Sequence, residues 1–135
     1  MSKELTALAT QIQIAYNGQN EGTLNATDNV AVGAIGLKPY EMVLGGLGAC
    51  LNYTFQDVLD KMRTTVGGVD YDITGIKREE VPTILKEVIV QVTVTGVEPA
   101  KQKKVEKAWQ KATEYCSMYE TLSRVATMKP TLIFK

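Results

Sequence analysis

A stretch without a single charged side chain, from Met42 to Gln56, most restricts how this chain can fold. Its apolar residues recur at helical spacing, and Pro39 stands at a position where the start of a helix tolerates proline. A helix on the surface of a globular protein carries a charged face, and this stretch has none. We therefore expect a helix that is enclosed by protein over its first half and, in so small a chain, covered by a second subunit.

Three glycines, Gly45, Gly46 and Gly48, lie inside this predicted helix. Each costs about 1 kcal/mol relative to alanine in a helix interior. We expect the close approach of another backbone to compensate for this cost.

The segments on either side of this helix alternate between apolar and polar residues, which predicts strands. Gly75 is expected to mark a bulge, and Pro130 is expected to place the last strand at a sheet edge. A second helix is predicted to begin at Glu98-Pro99. The order of elements predicts one α+β domain over residues 1–135. The predicted strands are Leu8–Tyr16, Gly22–Ala26, Val30–Ala34, Val69–Thr74, Val88–Thr95 and Thr127–Phe134, and a short helix is predicted at Met118–Val125.

Composition restricts the partners and the compartment. Lysine and arginine together number 15, as do aspartate and glutamate, so no basic surplus favours nucleic acid or an anionic membrane. The lysines of the second predicted helix are interpreted as its solvated face. No segment has the roughly 20 apolar residues that a membrane span needs, and Met1–Ala9 lacks the apolar core of a signal peptide. A cytoplasmic location is the default expectation.

The chemistry available to the chain is restricted by its lack of histidine, the usual general base and a common metal ligand. We expect neither a metal nor a cofactor. Thiol chemistry remains, because Cys50 and Cys116 lie on apolar faces of two different predicted helices. Both thiols point inward and can meet, although a small core residue is the commonest fate of a free cysteine. A disulfide would require their Cα atoms to lie within about 7 Å.

The reactive form of a cysteine is the thiolate, and the ordinary pKa of about 8.5 leaves little of it at neutral pH. Cys50 lies about three turns into its helix, and burial beside Leu47 and Leu51 would raise its pKa. It needs a cation or strong hydrogen-bond donors from elsewhere in the fold. Glu41 is the nearest acid in sequence, but nine residues place it on the opposite side of a straight helix. A role in the first turn of the helix fits Glu41 better than direct contact with Cys50.

Three segments carry a resemblance to a known family. PYEMVLGGLGAC (Pro39–Cys50) is similar to the pattern PxELLLxALGxC, KREEVP (Lys77–Pro82) precedes a valine-rich strand, and YCSMYETL (Tyr115–Leu122) holds the second cysteine. In this order the segments resemble the osmotically inducible protein C (OsmC) family, which includes the organic hydroperoxide resistance proteins.

The resemblance implies an antiparallel sheet with a long buried central helix, in an intertwined homodimer. It also implies a chemistry, in which Cys50 attacks a hydroperoxide and becomes a sulfenic acid. Cys116 then forms a disulfide with it, and an external dithiol reduces the disulfide. Glu41 is carried over as the site's acidic residue.

Two departures from the family pattern point to its generic branch rather than to the dedicated hydroperoxide reductases. Active members use an arginine from the N-terminal strands to lower the thiol pKa, and this chain has no arginine before Arg63. The glutamate that pairs with that arginine directly follows the motif proline, where this chain has Tyr40 and places Glu41 one residue later. A substitute cation would have to come from the fold or from the partner subunit. The candidates are Lys38, Arg63, Arg78 and Arg124.

Two functions therefore remain open. The first is a thiol-dependent reductase of organic hydroperoxides or hydrogen peroxide. The second is a non-catalytic dimer that binds a small apolar ligand between its subunits.

Overall fold

The computed structural model describes residues 9–19, 21–25 and 37–135. The strand predicted at Val30–Ala34 lies outside these residues. Within them the chain forms five strands and three α-helices, and a 3₁₀ turn at Pro99–Lys101 precedes the second helix. The elements in chain order are β1 (Ala9–Asn17), β2 (Gly22–Leu24), α1 (Pro39–Lys61), β3 (Gly68–Lys77), β4 (Leu85–Thr95), α2 (Gln102–Tyr115), α3 (Ser117–Ser123) and β5 (Thr127–Phe134).

The five strands form one sheet in the order β2-β1-β3-β4-β5. The pairs β1–β2, β1–β3 and β3–β4 are antiparallel, whereas β4 and β5 are parallel. The expected antiparallel sheet is therefore found in three of the four strand pairs, and the expectation is wrong at this edge. A parallel neighbour needs a long crossover connection, and α2 and α3 supply it by carrying the chain back before β5 begins.

One face of the sheet is apolar because apolar residues recur at every second position. In β4, Val88, Val90, Val92 and Val94 are all fully buried, and the residues between them face the other side. Register aligns this face across strands, since Ile73 of β3 pairs with Ile12 of β1 on one side and Val90 on the other. The valine alternation therefore marks the centre of the core.

Two details of the strands test the sequence expectations. The bulge expected at Gly75 is absent from that position, because the register shifts one residue later, between Ile76 and Lys77. Gly75 instead makes room for helix packing, as a Cβ there would lie 3.2 Å from the Leu44 side chain. Pro130 lies in β5, and the expectation that it marks an edge strand is confirmed.

The long helix α1 begins at Pro39, as the sequence predicts. It packs against β1 and β3 on one side and against α2 and α3 on another. Its outward face carries Met42 and Tyr53, which are 51% and 69% exposed in the single chain. The side toward the core is fully buried and consists mainly of Leu44, Leu47, Leu51, Phe55 and Leu59.

The glycines of α1 adjoin side chains rather than a second backbone, which corrects the expectation within the described chain. A Cβ on Gly48 would lie 2.5 Å from Ile14 Cδ1 and 3.1 Å from Ile73 Cδ1. A Cβ on Gly46 would meet only Met118 Cε, at an ordinary 3.7 Å. Gly48 thus lets the helix lie close to the sheet, whereas Gly46 faces α3 with room to spare.

We predict that Gly48→Ala and Gly46→Ala change stability in opposite directions. Alanine gains about 1 kcal/mol of helix propensity at either position. At Gly48 the new methyl overlaps two packed isoleucines, and such overpacking costs about 1–3 kcal/mol. Denaturant unfolding should therefore show a net loss for Gly48→Ala and a gain for Gly46→Ala. Equal changes in the two variants would contradict this account.

The helices α2 and α3 complete the core on the far side of α1. Trp109 of α2 meets Phe55 of α1 edge-on, with ring centroids 5.4 Å apart. Tyr71 of β3 lies 6.0 Å from the same indole, and its hydroxyl donates to Asn52 Oδ1 at 3.1 Å. In the part of the chain that the structure describes, no helix is long and apolar enough to cross a membrane.

Candidate active site

Cys50 lies in the middle of α1, on the side that faces α3. Its neighbours Leu47 and Leu51 are fully buried, but Cys50 itself is only partly covered. Its sulfur lies 3.7 Å from Ser117 Oγ at the start of α3. The thiol is therefore held at the boundary between the core and the surface, where a small molecule can reach it.

Cys116 lies between α2 and α3, and it is fully buried. Its backbone is extended, with φ −70° and ψ 118°, and this single residue separates the two helices. Its amide donates to Ala112 O at 2.9 Å, and its sulfur accepts a hydrogen bond from the Tyr119 amide at 3.4 Å. The residue thus ends one helix, starts the next and has little freedom to move.

The structure brings the two thiols close enough together for each to change the pKa of the other. They are separated by 66 residues in the sequence and lie on different helices. The packing of α3 against α1 joins them. The two inward-facing apolar surfaces therefore meet at the cysteines.

The surroundings of Cys50 lower the pKa of its thiol. Burial alone would raise that pKa, but the backbone N–H of Met118 and the thiol of Cys116 oppose it. The hydroxyl and the backbone N–H of Ser117 act in the same direction, and the sum lies below the ordinary value. Hydrogen bonds to the charged form stabilise a thiolate, so Cys50 ionises more readily than a free cysteine.

Cys116 has the opposite character. Burial raises the pKa of its thiol to about 12, and the Tyr119 amide only partly offsets this effect. The hydrogen bond and the charge of Cys50 raise it further. One thiol of the pair is thus prone to ionise while the other keeps its proton.

Glu41 is not part of this pair. Its Oε1 accepts a hydrogen bond from the Lys38 amide at 2.9 Å, which satisfies a free donor at the start of α1. Nine residues of helix separate it from Cys50, a distance of about 14 Å along the axis. Glu41 therefore lies in the first turn, the location that the sequence favoured.

None of the four candidate cations replaces the arginine of the family pattern within this chain. Burial raises the Cys50 pKa, and the groups that lower it belong to residues 116–118 rather than to any of these cations. Arg124 pairs with Glu120 at 2.6 Å, and Arg78 donates to the Pro82 carbonyl. Lys38 precedes the first turn of α1, and Arg63 follows its last. Across residues 9–19, 21–25 and 37–135, no three metal-ligating side chains cluster.

Comparison with known proteins identifies the family. A model of OsmC-like proteins matches residues 32–130, which is most of the chain. The chain belongs to the OsmC-like family. No curated protein matches it.

Solved structures agree with the OsmC-like fold. A hypothetical protein from Aquifex aeolicus VF5 superposes with a TM-score of 0.69 at 24% identity, covering 92% of this chain and 94% of that one. An OsmC-like protein from Mycoplasma pneumoniae gives 0.69 at 16% identity, covering 93% and 94%. An organic hydroperoxide resistance protein OsmC from Legionella pneumophila gives 0.63 at 18% identity, covering 92% and 96%. At these identities the likeness establishes the fold.

Sequence reasoning missed the hydrogen-bond donors of this OsmC-like site. Ser117 stands next to Cys116, and its position at the start of a short helix was a usable signal for a hydroxyl beside the thiols. The backbone N–H groups of Ser117 and Met118 had no signal, because every residue except proline carries one.

We predict that the two cysteines alkylate with very different pH dependence. The rate at which Cys50 reacts with iodoacetamide should rise with pH, and the midpoint of this rise should lie at a lower pH in native protein than in denatured protein, because folding lowers the pKa of Cys50. Cys116 should stay protected in the native state, because it is buried and its pKa is about 12. Mass spectrometry of each cysteine peptide across a pH series measures both.

The control for this experiment is Cys116→Ala, which removes one of the donors to Cys50. Its midpoint for Cys50 should move upward toward the value in denatured protein. A midpoint of the native wild type above that of denatured protein would refute the assignment of a lowered pKa.

Proposed function

We propose that this OsmC-like protein is a thiol-dependent peroxide reductase, acting on organic hydroperoxides or hydrogen peroxide. Cys50 is the peroxidatic cysteine and Cys116 is the resolving cysteine. The observation that carries the proposal is the proximity of two thiols whose pKa values are shifted in opposite directions. Family membership and structural neighbours named as hydroperoxide resistance proteins support it.

The first step is an attack by the Cys50 thiolate on one peroxide oxygen. The S–O bond forms to the oxygen that carries the hydrogen as the O–O bond breaks, which leaves Cys50 as a sulfenic acid. The leaving alkoxide, or hydroxide in the case of hydrogen peroxide, takes a proton from water to become an alcohol or water. The partial exposure of Cys50 lets a peroxide approach its sulfur.

The second step joins the two sulfurs. The sulfenic acid of Cys50 condenses with the thiol of Cys116, the S–O bond breaks, and the hydroxyl leaves with the Cys116 proton as water. The high pKa of Cys116 keeps it protonated until then, so it does not compete for the peroxide. An external dithiol returns the disulfide to two thiols, in keeping with a reducing compartment such as the cytoplasm.

Glu41 enters this proposal as a positioning residue. It holds the start of α1 through the Lys38 amide and thereby contributes to the orientation of the helix that carries Cys50. It makes no contact with the reacting sulfur.

Variants of the two cysteines test the proposal. Wild-type protein should reduce tert-butyl hydroperoxide or hydrogen peroxide with dithiothreitol as reductant, and Cys50→Ser should abolish turnover. Cys116→Ser should still form a sulfenic acid on Cys50, detected by a dimedone adduct, but no intramolecular disulfide. The matched control is Ser123→Ala, a surface change in α3 that should keep full turnover.

Absence of turnover with both peroxides and several dithiols in wild-type protein would refute this function. A Cys50→Ser variant that keeps full turnover would do so as well.

The same proposal includes a homodimer. The outward face of α1 carries Met42 and Tyr53, both largely exposed in the single chain, and no charged residue occurs between them. A monomer surface with this composition is unfavourable in water, and a second copy of the helix would cover it. The apolar outward face of α1 supports this assembly.

We predict that Tyr53→Asp shifts the protein from dimer to monomer, because it places a charge on the apolar face that the second copy would cover. Light scattering coupled to size-exclusion chromatography measures the mass directly. Lys107→Glu, on the exposed side of α2, is the matched control and should stay dimeric. A monomeric wild type at micromolar concentration would contradict the assembly.

One observation favours the second candidate function, a non-catalytic protein that binds a small apolar ligand. A groove of about 380 Å³ lies between α1 and α2, and Val58, Met62 and Tyr115 are among the residues that line it. Under this function, ligand binding would occur without turnover of any peroxide.

A further inference from the structure

The hydroxyl of Ser117, the first residue of α3, faces the sulfur of Cys50. Its Oγ lies 3.7 Å from the Cys50 sulfur, and Ser117 itself is exposed to solvent. The contact joins α3 to α1 on the open side of the thiol pair, whereas Cys116 covers the buried side. Ser117 therefore stands where a peroxide would approach.

Other hydroxyls in the C-terminal helices serve their own helix. Thr121 Oγ1 donates to Ser117 O at 2.8 Å, and Ser123 Oγ donates to Glu120 O at 2.6 Å. Thr113 Oγ1 bonds in the same way to Gln110 O. Ser117 is the first residue of α3, so no carbonyl of that helix lies one turn before it. Its hydroxyl is available to Cys50 for this reason.

The direction of the hydrogen bond follows from the charge state of the sulfur. Either atom can donate while Cys50 is a thiol. A thiolate has no proton and can only accept, so the Ser117 hydroxyl must donate once Cys50 has ionised. The contact is therefore stronger in the reactive state than in the resting state.

We propose that Ser117 is a catalytic residue, whose hydroxyl donates to the Cys50 thiolate in place of the arginine that this chain lacks. The proposal rests on the proposed peroxide reductase function. Ser117 keeps its own proton throughout, and its effect is to increase the fraction of thiolate at neutral pH. The lowered pKa of Cys50, to which the Ser117 hydroxyl contributes, agrees with this role.

A donor that stabilises a thiolate leaves a characteristic pH dependence. Stabilisation raises the thiolate fraction at low pH, but it also reduces the intrinsic nucleophilicity of the sulfur, with a Brønsted coefficient of about 0.4–0.5. Removal of the donor should slow the oxidation of Cys50 by peroxide at pH values below its pKa. At pH values well above that pKa, removal of the donor should make the oxidation faster. A residue that served only to hold the structure would slow the reaction at every pH.

The test compares Ser117→Ala with Ser117→Thr, which keeps the hydroxyl, and with Ser123→Ala, which removes a hydroxyl from the same helix. In Ser117→Ala the alkylation midpoint of Cys50 should rise by about one pH unit, the scale of a lost hydrogen bond to a charged group. Its oxidation by tert-butyl hydroperoxide, measured by stopped flow, should be about threefold slower at pH 6 and about threefold faster at pH 10. Ser123→Ala should follow wild type, and Ser117→Thr should restore the lower Cys50 midpoint that Ser117→Ala loses.

The outcomes separate this inference from the proposed function. Alkylation uses no peroxide, so an unchanged midpoint in Ser117→Ala overturns the role of Ser117 even if turnover is high. Slower oxidation of Ser117→Ala at both pH values also overturns it. If Ser117→Ala has a raised Cys50 midpoint but the wild-type protein reduces no peroxide, the Ser117 hydrogen bond is supported and the reductase function is refuted.

Discussion

The burial of α1 between the sheet and the C-terminal helices is the constraint on which the rest of the structure depends. Leu47 and Leu51 anchor the helix in the core, so the rotation of α1 about its axis is fixed. Cys50 lies between them in sequence, and its direction follows from that rotation. The edge-on contact of Phe55 with Trp109 then locks α2 against the same helix. The position of Cys50 in the site therefore follows from the packing of the core.

The sequence predicts the secondary structure well where a residue pattern fits only one local backbone geometry. Pro39 marks the start of α1, and the valine alternation marks β4, because each pattern is tied to local backbone geometry. The direction of β5 had no such signal, since alternation and Pro130 suit a parallel edge as well as an antiparallel one. The meeting of Cys50 with Cys116 was predicted only as a possibility, because it depends on how distant helices pack.

The Cys50 environment differs in kind from the one that the family pattern describes. An arginine acts through its charge, which reaches several ångströms and is screened by salt. Among residues 9–19, 21–25 and 37–135, the donors that act on Cys50 are a hydroxyl, a thiol and two backbone N–H groups, all neutral, which act only at hydrogen-bond distance. The missing arginine therefore does not imply an inert thiol. It implies a thiol whose acidity depends on accurate packing and only weakly on ionic strength.

The sequence separation of the two cysteines has a consequence for the life of the chain. Cys50 leaves the ribosome well before residues 116–118, which supply the donors that lower its pKa in the described part of the chain. A nascent or unfolded chain carries Cys50 with the modest acidity of any cysteine, and that sulfur reacts slowly with oxidants. Cys50 is therefore protected from early oxidation while the chain is being synthesised, and its sulfur becomes more acidic only when the fold is complete.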